Sequence, residues 1–389
     1  MKSIFLSMLA IAVLASCSKE ELNLSPPGPQ EPQGEKVMLT LNFAGAATTK
    51  VSGAATDAAD KAIQDVNVFV LNATGVIIHK AYQDGLGTGT EAKSVTIETT
   101  NSAHSVIVIA NLGENQIGAG GDLNVLSRTD LETKTQSLLN ATAPFQSAGH
   151  VIMTGEADIT GMPSVPGGAG TPQADVQMYF IGAKIKLTQM IGHADLKGEY
   201  GTTFKFSRAY LKNVQTNSYY LPRTTGTPPS DYITGITTAY ASGINVATQT
   251  EVSDFLEDLS GHSSFGPTTS NPINNVGYWY VFEDNKGVDE ASTRLIIEML
   301  WKKTSGEGMT TKKYFNVIFA DGDIEAIKAG KVYDVKLTFK GNFNSEDDST
   351  DPGDGGGGSD DDDTPNVKVS LGVTVTPSEW ADRPTNKPF

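Results

Sequence analysis

The side chains in this 389-residue sequence that could carry chemistry are five histidines, one cysteine, a run of four aspartates and a few aromatic clusters. Catalysis needs a nucleophile, a base or a metal set at usable spacing. His79, His104, His150, His193 and His262 are scattered, with no His-x-x-x-His pair and no His/Cys pair. Gly261-His262-Ser263-Ser264-Phe265-Gly266 approaches a nucleophile elbow but lacks a glycine two residues after Ser263, and no strand-turn-helix pattern surrounds it. Gly85-Leu86-Gly87-Thr88-Gly89 precedes no helix, so it reads as a turn rather than a phosphate cradle. Asp360–Asp363 lacks the spaced ligands and turn glycine of a calcium loop; four adjacent carboxylates repel and stay solvated. Tyr219-Tyr220, Tyr278-Trp279-Tyr280 and Trp301 could stack on a sugar, but aromatics on alternating strands more often pack in cores and across strands. The sequence therefore offers no catalytic residue, no metal ligand set and no cofactor motif, and it reads as a non-enzyme.

Cys17 is the exception, because its position gives it a use. Met1-Lys2 begin a positive start, Ile4–Ala15 is apolar, and Leu14-Ala15-Ser16-Cys17 ends the run. The apolar stretch is too short for a permanent membrane helix and reads as an export signal. Its end resembles a bacterial lipobox, in which Cys17 becomes the lipidated first residue. Ser18–Glu35, polar and proline-rich, then reads as a stalk above the membrane.

The elements behind these residues are strands. A hydrophobic fraction of 38%, a charged fraction of 19% and 40 glycines fit a folded all-β protein. Net charge is −16, which argues against nucleic acid, since phosphate binding needs a basic footprint. Val37, Leu39, Leu41 and Phe43 alternate with Met38, Thr40 and Asn42 and form a first strand. A weak Ala/Gly/Thr/Ser loop follows, with Lys50 at its middle, of the kind proteases cut. Ile63–Leu71 and Val76–Tyr82 read as a hairpin about Asn72–Gly75, and Ser105–Asn111 as a central strand. Leu123–Leu139 carries the best helical pattern, with a second short helix at Val252–Leu259. Pro163–Pro172 breaks the chain before further strands at Gln177–Met190, Phe204–Gln215, Tyr278–Glu283, Thr293–Lys302, Lys313–Phe319 and Val332–Lys340.

The last strand is set apart. Val367, Val369, Leu371, Val373 and Val375 hold every second position, and Trp380 lies just beyond. Asn344–Pro365, ahead of it, has nine acidic residues and no basic one, so it reads as a flexible tether. A lone strand is unstable in water and must complete a sheet, in its own molecule or in another. The tether's reach, roughly 25 Å root-mean-square, allows both.

Together these features resemble the type V fimbrial subunits of Bacteroidales, the FimA-like pilin lipoproteins. The resemblance rests on the lipobox at Cys17, the early strand Val37–Phe43 with its cleavable loop, the strands Ile63–Ile78 and Val106–Gly113, and the closing strand Lys331–Gly341 before a C-terminal appendage. It implies an all-β fold of two tandem β-sandwich (transthyretin-like/Greek-key) domains with an N-terminal plug strand and a C-terminal donor strand. The expected divisions are a signal peptide 1–16, a lipidated stalk and removable strand 17–50, domains at 51–175 and 176–343, and the appendage 344–389. It implies a subunit exported to the outer membrane through its lipid and processed by a trypsin-like or gingipain-like protease. That subunit would polymerise with other pilin subunits into an extracellular, adhesive fimbrium. The family is usually cut after arginine, whereas the matching loop here offers Lys50. The competing expectation is a non-polymerising surface lipoprotein that binds glycan or host protein, with its tail folded back.

Overall fold

Period-2 alternation along most of the chain produces strands nearly everywhere they can be followed. The computed structural model describes residues 34–44, 57–88, 93–140, 143–144, 150–164, 168–192, 197–198, 205–221, 232–235, 250–262, 272–284, 293–301, 311–321, 324–325, 327–343 and 368–379. The first unit holds β1 (Lys36–Ala44), the short helix α1 (Asp57–Asp60), β2 (Val66–Leu71), β3 (Ile77–Gln83), β4 (Lys93–Thr100) and β5 (Ser105–Ala110). Helix α2 (Arg128–Glu132), β6 (Thr135–Ser137), β7 (Met153–Asp158) and β8 (Gln173–Phe180) follow. Seven of these strands hydrogen-bond in the order β3-β2-β5-β7-β8-β1-β4. The β2–β3 turn closes on Asn72, whose Oδ1 accepts from the Thr74 and Val76 amides, with Gly75 at φ +80°.

β8 carries the sheet from one layer to the other. Gln173–Gln177 run parallel to β1, whereas Met178–Phe180 run antiparallel to β7. The sheet folds over at that point, and one interior collects Leu39, Leu41 and Phe43 with Val66, Val68, Val106, Val108, Val95 and Ile97. The expected boundary between residues 175 and 176 falls inside β8, whose ladder partners all precede it. The last strand of this sheet ends at Phe180, and the first strand of the next sheet begins at Gly182.

The second unit contains β9 (Gly182–Gly192), β10 (Lys205–Lys212), β11 (Asn217–Tyr219), β12 (Leu256–Asp258), β13 (Ile273–Phe282), β14 (Arg294–Trp301), β15 (Thr311–Ile318), β16 (Lys331–Phe343) and β17 (Lys368–Glu379). One sheet runs β13-β9-β16 with β17 on the far edge of β16; the other runs β12-β10-β14-β15. Phe339 of β16 packs against Phe206 and Phe315 of the facing sheet, at centroid distances of 5.2 and 5.1 Å. The architecture is thus all-β, a pair of β-sandwich units, as the alternation leads one to expect.

Two helix expectations are not met. Over 123–139 only Arg128–Glu132 is helical, started by Ser127, whose Oγ accepts from the Asp130 amide at 3.1 Å. Leu123, Leu131 and Leu138 are buried and Leu126 is exposed, so the leucines anchor an irregular segment instead of forming one helical stripe. Over 252–259 a 3-10 turn at Ser253–Phe255 leads directly into β12, which pairs with Arg208–Tyr210. In both places tertiary pairing overrides weak local propensity.

The units share a seam. β6 pairs antiparallel with β11, the Leu138 amide donates to Thr216 O at 2.6 Å, and the Tyr220 hydroxyl donates to Gln136. Burial pushes the Tyr220 phenol well above its ordinary range, so it remains a donor at every physiological pH.

Gly155 lies where β8 leaves β7, and a Cβ there would sit 2.5 Å from the Gln177 carbonyl oxygen. Gly155→Ala is expected to cost about 1–3 kcal/mol in urea unfolding. Gly261→Ala, with open space around it, should change stability by less than about 0.5 kcal/mol.

Candidate functional site

The site is a strand and the slot that it fills. β1 forms because its apolar residues fall on one face: Leu39, Leu41 and Phe43 are fully buried, Val37 at the open end is half-buried, and Met38 is exposed. Both of its edges are hydrogen-bonded. On one side it runs parallel to β8, from Thr40↔Gln173 to Ala44↔Gln177. On the other it runs antiparallel to β4, from Lys36↔Thr100 to Phe43↔Lys93. Among the described residues β4 has no other ladder partner, so β1 alone joins it to the sheet.

Side chains on the wet face continue the cross-ties. Asn42 Nδ2 donates to Asp175 Oδ1 of β8 at 2.8 Å, and Ser94 Oγ of β4 donates to Asn42 Oδ1 at 3.2 Å. At the strand's entrance the Asn101 amide donates to Glu35 O at 2.9 Å. Lys36 pairs with Glu98 at 2.7 Å; this hydrogen bond and the opposite charge raise the lysine's pKa, but both groups face water and the pair adds little. Burial of Leu39, Leu41 and Phe43 contributes about 5–9 kcal/mol gross at about 1.5–3 kcal/mol each. Withdrawal of β1 would leave an apolar gap of about 10 Å, two strand spacings, between β8 and β4.

β17 pairs antiparallel with β16 of its own chain, from Asn342↔Lys368 to Lys331↔Glu379. Val369, Leu371, Val373 and Val375 oppose Gly341, Phe339, Leu337 and Val335, and the last three of these are buried. β17 has one ladder neighbour among the described residues, whereas β1 has two. Cys17, Lys50, Val367 and Trp380 lie outside the described residues.

Sequence alone did not bring forward the walls of the slot, Val95, Ile97, Ala174 and Val176. Their alternation was readable, but a pairing between residues 40–44 and 173–177 leaves no local signal. Of the aromatics singled out, Tyr220, Trp279 and Tyr280 are buried and Tyr278 is half exposed. Among the described residues no three His, Cys, Asp or Glu side chains converge, and no helix is long and apolar enough to cross a membrane.

Residues 37–202 match the family profile of the major fimbrial subunit protein FimA, and residues 213–380 match that of the C-terminal domain of FimA-like major fimbrial subunits. The chain belongs to the FimA family of major fimbrial subunits. The two matches begin at Val37 and end at Trp380, so they take in both β1 and β17. A FimA-family chain is a structural subunit of a cell-surface fimbria and not an enzyme.

Solved structures agree in fold. A candidate cell adhesion protein of Bacteroides eggerthii is similar at a TM-score of 0.64 and 24% identity, over 91% of this chain and 98% of its own. The FimA fimbrilin of Porphyromonas gingivalis gives 0.56 and 16%, over 89% and 99%. A candidate cell adhesion protein of Parabacteroides distasonis gives 0.54 and 16%, over 90% and 98%. No curated protein matches the sequence.

Phe43→Ala is expected to destabilise the full chain by about 3–5 kcal/mol in urea unfolding. Met38→Ala, at a position 57% exposed, should stay within about 0.5 kcal/mol. Equal effects would contradict the placement of Phe43 in the interior.

Proposed function

We propose that this FimA-family subunit polymerises by strand exchange: a protease removes β1, and β17 of a neighbouring copy takes the slot. In this reading the chain is exported as an outer-membrane lipoprotein through Cys17, cut after Lys50 by a trypsin-like or gingipain-like enzyme, and built into an adhesive fimbria. The observation that carries it is the double-sided pairing of β1. A strand at the start of the fold pairs on both edges inside a sheet, over Thr40–Ala44 with β8 and Lys36–Phe43 with β4, and among the described residues β4 has no other ladder partner. We take the two β-sandwich units to meet at Ile181.

Free energy favours this order of events. While the chain is intact, β1 acts at high effective concentration and outcompetes any strand from another molecule. Once it is cut free, that advantage ends. β17 would then exchange one ladder, on the edge of β16, for two ladders between β8 and β4. Strand addition of this kind takes affinity from the backbone and specificity from alternate side chains, and both strands carry apolar residues at every second position. Val367, Val369, Leu371, Val373 and Val375 would follow Leu39, Leu41 and Phe43 as occupants of the same pockets, with Trp380 at the end.

Limited digestion of the delipidated protein with trypsin should yield a ladder of oligomers on an unboiled gel. Val373→Asp combined with Val375→Asp should abolish that ladder, and a ladder that persists would exclude β17 as donor. Mass spectrometry of fibre subunits should find chains beginning at Val51; subunits beginning at Cys17 would refute processing.

A further inference from the structure

The segment that follows the proposed cut is tied to the other unit by a buried charge. Asp60, the last residue of α1, is fully buried. Its Oδ2 accepts from Lys184 Nζ of β9 at 2.6 Å, and its Oδ1 accepts from the Tyr280 hydroxyl of β13. Lys184 and Tyr280 are register partners across β9 and β13, so the strand ladder itself fixes the two donors. The ammonium also sits 4.7 Å from the Tyr278 ring centroid and 5.0 Å from that of Tyr280, where it is attracted to both faces. Just downstream the chain is fastened to its own unit: Asn111 Nδ2 donates to Ala62 O at 2.8 Å, and Asn111 Oδ1 accepts from the Gln64 amide at 2.9 Å.

A charge pair as dry as this contributes little beyond an apolar replacement, yet removal of one partner leaves the other charge buried alone. Its use is therefore positional. We propose that Asp60, Lys184 and Tyr280 form a clamp that holds the new end of the processed chain. The clamp keeps residues 57–65 in place, and keeps the end of the chain out of the slot, after β1 has gone. This rests on the removal of β1 proposed above. In the intact chain the same segment is held from both sides, by the clamp and by β1, so the clamp should matter most after cutting.

The test uses the full chain with a recognition sequence for a sequence-specific protease in place of residues 47–53, so cutting does not depend on natural processing at Lys50. Hydrogen exchange of peptides covering 61–71 is followed by mass spectrometry before and after cutting. The parent chain should keep its protection after the cut. Lys184→Met should lose protection about ten-fold or more after the cut and much less before it. Tyr280→Phe, which removes only one donor, should show the same asymmetry more weakly and decides the matter if Lys184→Met does not fold. Equal losses in cut and intact chains, or full protection in the cut variants, would overturn the clamp. Failure of natural processing at Lys50 would leave these results unaffected.

Discussion

A β-strand carries hydrogen-bonding groups along both edges and side chains on both faces, and all that are buried need partners. β1 meets these demands on both edges and on its inward face. Its edges pair with β8 and β4, its inward residues fill the first interior, and its Asn42 bridges the strands on either side. Much of the rest of the first unit follows from that position. β8 leaves β7 to reach β1, Gly155 permits the departure, and among the described residues β1 is the one ladder partner of β4. A sheet built this way has one member whose loss creates an apolar, doubly hydrogen-bonding vacancy. Such a vacancy demands another strand.

Among the described residues β17 has a ladder along one edge, where it extends β16 of its own chain over twelve register pairs. That resting place joins it to a well-packed element, since Phe339 of β16 is wedged between Phe206 and Phe315. A strand edge without a ladder partner is a template for association between chains, and the proposed strand exchange would use it. The β6–β11 ladder and the Asp60–Lys184–Tyr280 cluster tie the unit that holds β1 to the unit that holds β17.

Much of this could be read from residue order. Val37–Phe43 and Val367–Val375 announced themselves by alternation, Ile63–Leu71 as one strand of a hairpin, and Ser105–Asn111 by a nearly continuous apolar run suited to a central strand. Sequence failed where long-range pairing decided. The leucines of 123–139 look helical by spacing, yet only Arg128–Glu132 is helical, and Leu123, Leu131 and Leu138 reach one shared interior from an irregular segment. The walls of the slot come from residues 93–100 and 173–177, far apart in the chain, and β17's place on β16 lies across a tether that carries no register information. Asp60 and Lys184, 124 residues apart, gave no hint of each other.

The most direct test traps the exchanged strand. Two populations are made in a Cys17→Ser background, one carrying Thr96→Cys beside the slot and the other Thr374→Cys in β17. They are mixed, the loop after β1 is cut, and disulfide formation is followed by mass. Strand exchange predicts mixed dimers that appear only after cutting. Absence of mixed dimers after cutting, or equal yield without it, would contradict the account.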